Sequence, residues 1–85
     1  MSKQLAPTVH LNGTSREALV EEYLEAIEAV NAATAAVGRI TVNARDYYVQ
    51  PLGNWDIARD QHEARLQALA KVHDDLCAIL QEVLG

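Results

Sequence analysis

Two short stretches hold most of the side chains whose type and spacing could do chemistry. The first is His10-Leu11-Asn12-Gly13-Thr14-Ser15-Arg16. Asn-Gly turns a chain, and a helix starting just after it aims its first free amides outward with partial positive charge, beside two hydroxyls and a guanidinium. Such a place receives a phosphate or a carboxylate. The second is Arg45-Asp46-Tyr47-Tyr48. A guanidinium donates paired hydrogen bonds to phosphate, and tyrosine rings stack on a base or lend hydroxyls to a sugar. That set suits a planar, anionic ligand such as a nucleotide. Each stretch also has a plain structural account. Thr14 and Glu17 explain themselves as a capping box. Tyr47 and Tyr48 could plug the open end of a helical core, with Asp46 pairing with Arg45 or capping a turn, while Ile40 and Val42 cover apolar surface.

The remaining reactive side chains do not converge. His73 and Cys77 lie four apart on one helical face, but a zinc site needs three or four ligands and His62 is about three turns away. The pair reads as a thiol packed beside a histidine. His62 and Glu63 point about 100° apart on a helix and form no acid-base pair, and Ser15 has no base at a readable spacing. The sequence therefore predicts no catalytic residue, no metal site and no cofactor.

Four segments must position these groups: an arm over 1–14, helix one over 15–38, a connector over 39–54 and helix two over 55–84. Thr14-Ser15-Arg16-Glu17 matches a hydroxyl followed three residues later by Glu, which predicts a helix starting at Ser15. Val20, Tyr23, Leu24, Ile27, Val30, Thr34 and Val37 then recur at spacings of three and four, with Glu21, Glu22, Glu25 and Glu28 on the other side. Gly38 is expected to end this helix in the left-handed conformation. Asn54 is the expected N-cap of helix two. Along it, Ala58, His62, Leu66, Leu69, His73, Leu76, Leu80 and Val83 form a stripe, broadened by Val72 and Ile79. The polar run from Arg59 to Arg65 interrupts that stripe and marks either a wet cavity or an overhang past helix one. The connector is longer than the roughly two to eight residues that usually join bundle helices, so chain reversal does not account for its length.

The chain has 85 residues and a formal charge of -5. That length allows one domain, and the charge offers no footprint for DNA, RNA or an anionic membrane. The acid is local: the arm and the connector are each +1, whereas residues 15–38 carry -4 and residues 55–85 carry -3. One cysteine, Cys77, excludes an internal disulfide and fits a reducing compartment. No apolar run approaches the roughly 18 residues of a membrane span, and the first residues include no apolar segment of signal-peptide length. The expectation is a cytoplasmic protein. A two-helix hairpin leaves much of two wide apolar faces wet, so the fold expected is all-α: an antiparallel hairpin with an extended arm and a long connector, assembling into a homo-oligomeric helical bundle.

The run Leu11-Asn12-Gly13-Thr14-Ser15, the Glu- and Ala-rich helix after it, the Arg45-Asp46-Tyr47-Tyr48 block and Gln61-His62-Glu63-Ala64-Arg65 together resemble a family of small proteins encoded by tailed bacteriophages, over roughly residues 9–84. That resemblance implies no enzymatic activity. In size and helical plan alone, the chain is similar to phage anti-defence sponges, small oligomers that sequester nucleotide second messengers of bacterial immune systems such as CBASS and Thoeris. The similarity implies a small nucleotide second messenger as ligand, held at inter-subunit pockets in the host cytoplasm. It implies ligand contacts at Asn12, Gly13, Thr14, Ser15, Arg16, Arg45, Asp46, Tyr47 and Tyr48, and His10 beside them is expected to add a hydrogen bond. The alternative is a structural or interaction module that presents its helix faces to a host or phage protein, with the connector aromatics as protein contacts.

Overall fold

In the computed structural model, residues 3–85 are described; Met1 and Ser2, the first two positions of the expected arm, lie outside the described residues. Two helices fold back on each other: α1, Arg16–Gly38, and α2, Asn54–Leu84. A single 3₁₀ turn, Ala44–Asp46, interrupts the connector, and there is no strand among the described residues. The all-helical hairpin expected from the sequence is therefore present.

Three of the four helix ends depart slightly from their expected form, and α2 ends at Leu84 as expected. Ser15 is the N-cap of α1 rather than its first helical residue, and its Oγ accepts a hydrogen bond from the Ala18 amide at 3.1 Å. The hydroxyl that caps is thus Ser15, one residue beyond Thr14, and Glu17 serves as the acidic residue of the first turn, where it opposes the positive end of the helix dipole. Gly38 is not left-handed. The helix closes on Arg39, with φ -86 and ψ -8, whose amide donates back toward Ala35 and Ala36. The left-handed glycine sits instead at the start of α2: Gly53, with φ 96, is its N-cap, and Asn54 is already helical. Asn54 spends its side chain on Gln50, donating from Nδ2 to Oε1 at 3.0 Å, so it braces the connector rather than the helix amides.

The apolar stripes meet along the seam between the helices. Leu19, Val20, Tyr23, Ile27, Val30, Thr34 and Val37 of α1 are half-buried, as are Trp55, Ala58, His62, Leu66, Leu69, His73 and Leu76 of α2. Among the described residues, only Leu80, at 8 % exposure, and Val83, at 2 %, are buried. Both lie near the end of α2, where the arm crosses it: Gln4, Ala6 and Val9 are half-buried, and the Lys3 ammonium stands 3.9 Å from Glu82. The core is therefore a narrow line that thickens only where a third segment is present.

The outcome is a rod of 62 × 25 × 17 Å with a radius of gyration of 18.4 Å. A compact 85-residue domain would have a radius near 12 Å. The two glycines at the connector generate a paired test. Gly53→Ala forces a side chain into φ 96 and should lower stability by about 1 kcal/mol. Gly38→Ala, helical and with open space where the Cβ would go, should raise it by about 0.5–1 kcal/mol. Urea unfolding followed by circular dichroism reads both signs.

Candidate functional site

The two stretches singled out by their chemistry lie at opposite ends of the hairpin. Between Ser15 and the connector stands the whole of α1, 23 residues, or about 34 Å at 1.5 Å per residue. Within one chain, Asn12–Arg16 and Arg45–Tyr48 do not meet.

At the arm end, the His10 carbonyl accepts from the Gly13 amide at 3.1 Å, which turns the chain with Leu11 and Asn12 at the apex. The imidazole folds over this turn so closely that a Cβ on Gly13 would stand 2.7 Å from His10 Nε2. A side chain at position 13 would displace the His10 ring. His10, Asn12, Gly13, Thr14, Ser15 and Arg16 are all exposed. Ser15 already satisfies one amide of the first turn, and Arg16 has no carboxylate within ion-pair distance among the described residues.

At the other end, the connector is a succession of tight turns. Asn43 Oδ1 accepts from the Arg45 amide at 2.9 Å, and the Asn43 carbonyl accepts from Asp46 at 3.1 Å, which sets the 3₁₀ turn. The Ala44 carbonyl then accepts from Tyr47, and the Tyr47 carbonyl accepts from Gln50, each at 3.0 Å. This winding separates the paired tyrosines. Tyr47 is half-buried, its ring 6.0 Å from that of Trp55 at an interplanar angle of 42°, a tilted aromatic contact. Tyr48 is 81 % exposed. Arg45 and Asp46 are exposed and form no ion pair with each other among the described residues. Ile40 is also largely exposed, while Val42 is half-buried.

Sequence reasoning did not single out the cluster behind Tyr47. Arg59 places its guanidinium carbon 5.9 Å from the centre of the Trp55 ring, and its nitrogens reach Asp56 at 3.3 Å and Asp60 at 3.5 Å. Tyr47, Trp55 and Arg59 thus form a layer that ties the connector to the first turns of α2. The four-residue spacing of Trp55 and Arg59, which puts both on one helical face, was the available signal. It also gives the polar run after Asn54 a role: part of it braces the connector.

The remaining candidates are modest. Cys77 Sγ lies 3.8 Å from His73 Nε2, a packed thiol beside a histidine, and His73 Nδ1 also faces Asp74 at 3.2 Å. No group of three or more His, Cys, Asp or Glu converges among the described residues. An open cleft of about 320 Å³ is lined by Lys3, Gln4, Leu5, Ala6 and Glu82. A second, of about 260 Å³, is lined by Leu19, Glu22, Tyr23, Ala26 and Leu76. Neither is lined by the arm-turn or connector residues above. No helix is long and apolar enough to cross a membrane among the described residues.

No protein-family model, curated protein or solved structure matches the chain. The aromatic layer generates a direct test. Tyr47→Ala should shift Trp55 emission and lower stability by about 1 kcal/mol, the scale of an aromatic pair. Tyr48→Ala should leave both unchanged within about 0.5 kcal/mol, as for an exposed side chain.

Proposed function

We propose that this chain is a non-enzymatic, homo-oligomeric protein that binds and sequesters a small nucleotide-type signalling molecule at sites shared between copies. The observation that carries this reading is the connector: an exposed Arg45 without a carboxylate partner among the described residues and an exposed Tyr48, both mounted on turns braced by Tyr47, Trp55 and Arg59. On a chain of charge -5, an unpaired guanidinium beside a free aromatic ring favours a compact anion with a planar part over a long polyanion. Arg16, Thr14 and the start of α1 would supply the second half of the grip, with His10 and Asn12 at its margin. Asp46 would orient Arg45 or accept from a sugar hydroxyl. Holding a ligand requires no turnover, which agrees with reactive side chains that do not converge on one place. The phage resemblance makes an immune second messenger the ligand to try first and the host cytoplasm the place of action.

A second reading, an interaction module for another protein, is favoured by apolar side chains exposed at both ends: Leu5, Leu11, Ile40, Val49 and Leu52. Such residues anchor protein contacts as readily as they flank a ligand.

Differential scanning fluorimetry with cyclic di- and trinucleotides and cyclic ADP-ribose variants separates the two. A ligand that binds only the folded state stabilises it by about 2.7 kcal/mol at a hundred times its Kd. We expect a clear rise in Tm with one of these classes and its loss in both Arg45→Ala and Tyr48→Ala. No rise with any of them, together with stoichiometric capture of a protein, decides for the second reading.

A further inference from the structure

The solvent-accessible surface of the chain is 6587 Å². A compact monomer of 9.3 kDa exposes about 5,000 Å². The difference, about 1,600 Å², exceeds the roughly 800 Å² that each partner contributes to an ordinary stable interface. Part of that surface lies beside a groove between the helices. Leu19, Tyr23 and Ala26 of α1 and Leu76 of α2 line one shallow groove, so these flanks of the two helices lie on the same side of the hairpin. Helical spacing extends that side to Ala33, seven residues beyond Ala26, and to Val72, one turn before Leu76 and 45 % exposed. The small side chains on α1 let another helix approach closely.

The acid lies elsewhere. Of the five glutamates of α1, Glu17, Glu21 and Glu28 fall toward the flank that also carries Leu24, Glu25 faces solvent between the two flanks, and Glu22 borders the groove. Charge is also unequal along the rod. The half containing the arm, residues 3–28 and 71–85, carries -5, whereas the half containing the connector, residues 29–70, is neutral and holds Arg39, Arg45, Arg59 and Arg65. Two copies side by side in the same direction would place the two acidic halves together. Reversed, each acidic half meets a neutral one in which Arg39, Arg45 and Arg65 form no ion pair among the described residues.

We infer that the groove-bearing face is covered by a second copy of this chain, packed antiparallel to the first, so that two hairpins complete a four-helix bundle. The pairing stands on area and charge. It has one consequence that rests on the nucleotide reading: reversal brings the Arg45–Tyr48 turn of one protomer alongside the Asn12–Arg16 turn of its partner, which makes a single site from halves that one chain keeps about 34 Å apart.

Multi-angle light scattering at about 10 µM should give twice the chain mass of 9.3 kDa, or an even multiple of it. A single 9 kDa species overturns the pairing. Val72→Arg, at an exposed position, should reduce the mass to that of the monomer with the helical circular dichroism retained, and Leu24→Arg on the opposite flank should leave the mass unchanged. A Val72→Arg protein that keeps the wild-type mass overturns the choice of face. Direction is read by double electron–electron resonance with one nitroxide at Glu17→Cys in a Cys77→Ser chain. The antiparallel pair predicts a distance of about 35 Å or more, and a parallel pair one below about 20 Å. None of these measurements contains nucleotide, so a failed ligand screen leaves the pairing intact, and a monomer overturns it whatever the screen shows.

Discussion

Each helix of this hairpin has one neighbour, and the rest of the structure depends on how little that neighbour can cover. The stripe from Leu19 to Val37 meets the stripe from Ala58 to Val83 along a single seam, and almost every residue in it remains half-exposed. Burial is complete only for Val83 and nearly so for Leu80, where the arm adds a third segment beside the two helices. Apolar stabilisation scales with area removed from water, so a seam of this kind holds the helices in register but leaves each of them with a second apolar flank. The 62 Å length and the large exposed surface are the direct expression of that geometry.

The same geometry sets what the candidate residues can do. Helices are stiff spacers, and α1 keeps the His10–Arg16 turn away from the Arg45–Tyr48 turn by its own length. Each turn is locally well determined. The imidazole of His10 packs on Gly13 at one end, and the Tyr47, Trp55 and Arg59 layer supports the connector at the other. On the proposed reading each turn is a prearranged half of a site, and prearrangement lowers the entropic cost of capturing a small ligand. In the proposed pairing, a reversed copy would supply the second surface with its own opposite end.

Local interactions explain which parts of the fold were legible in the residues. The capping hydroxyl, the three-and-four spacing and the glutamates along α1 act within a few residues of one another, and the helix limits follow to within one position. Glycine was less transparent. Gly38 and Gly53 both stand at helix boundaries, yet only Gly53 adopts a positive φ. The distinction depends on how the connector must enter α2. The paired tyrosines were equally opaque, because adjacent residues of similar propensity are told apart only by which ring finds a partner. Tyr47 found Trp55, eight residues away in sequence.

The residues alone determined an all-helical hairpin, its two boundaries, the placement of net negative charge on the helices and of net positive charge on the arm and connector, and the paired tyrosines of the connector. These follow from short-range periodicity and capping, which act along the chain. The tertiary structure decided that the two candidate stretches stand at opposite ends, that Tyr47 is held while Tyr48 is free, and that Arg59 stands over Trp55 while Arg16 and Arg45 have no carboxylate partner within the described chain. Those outcomes depend on distance through space, and no local spacing encodes the distance between two ends of a rod until the helices have paired.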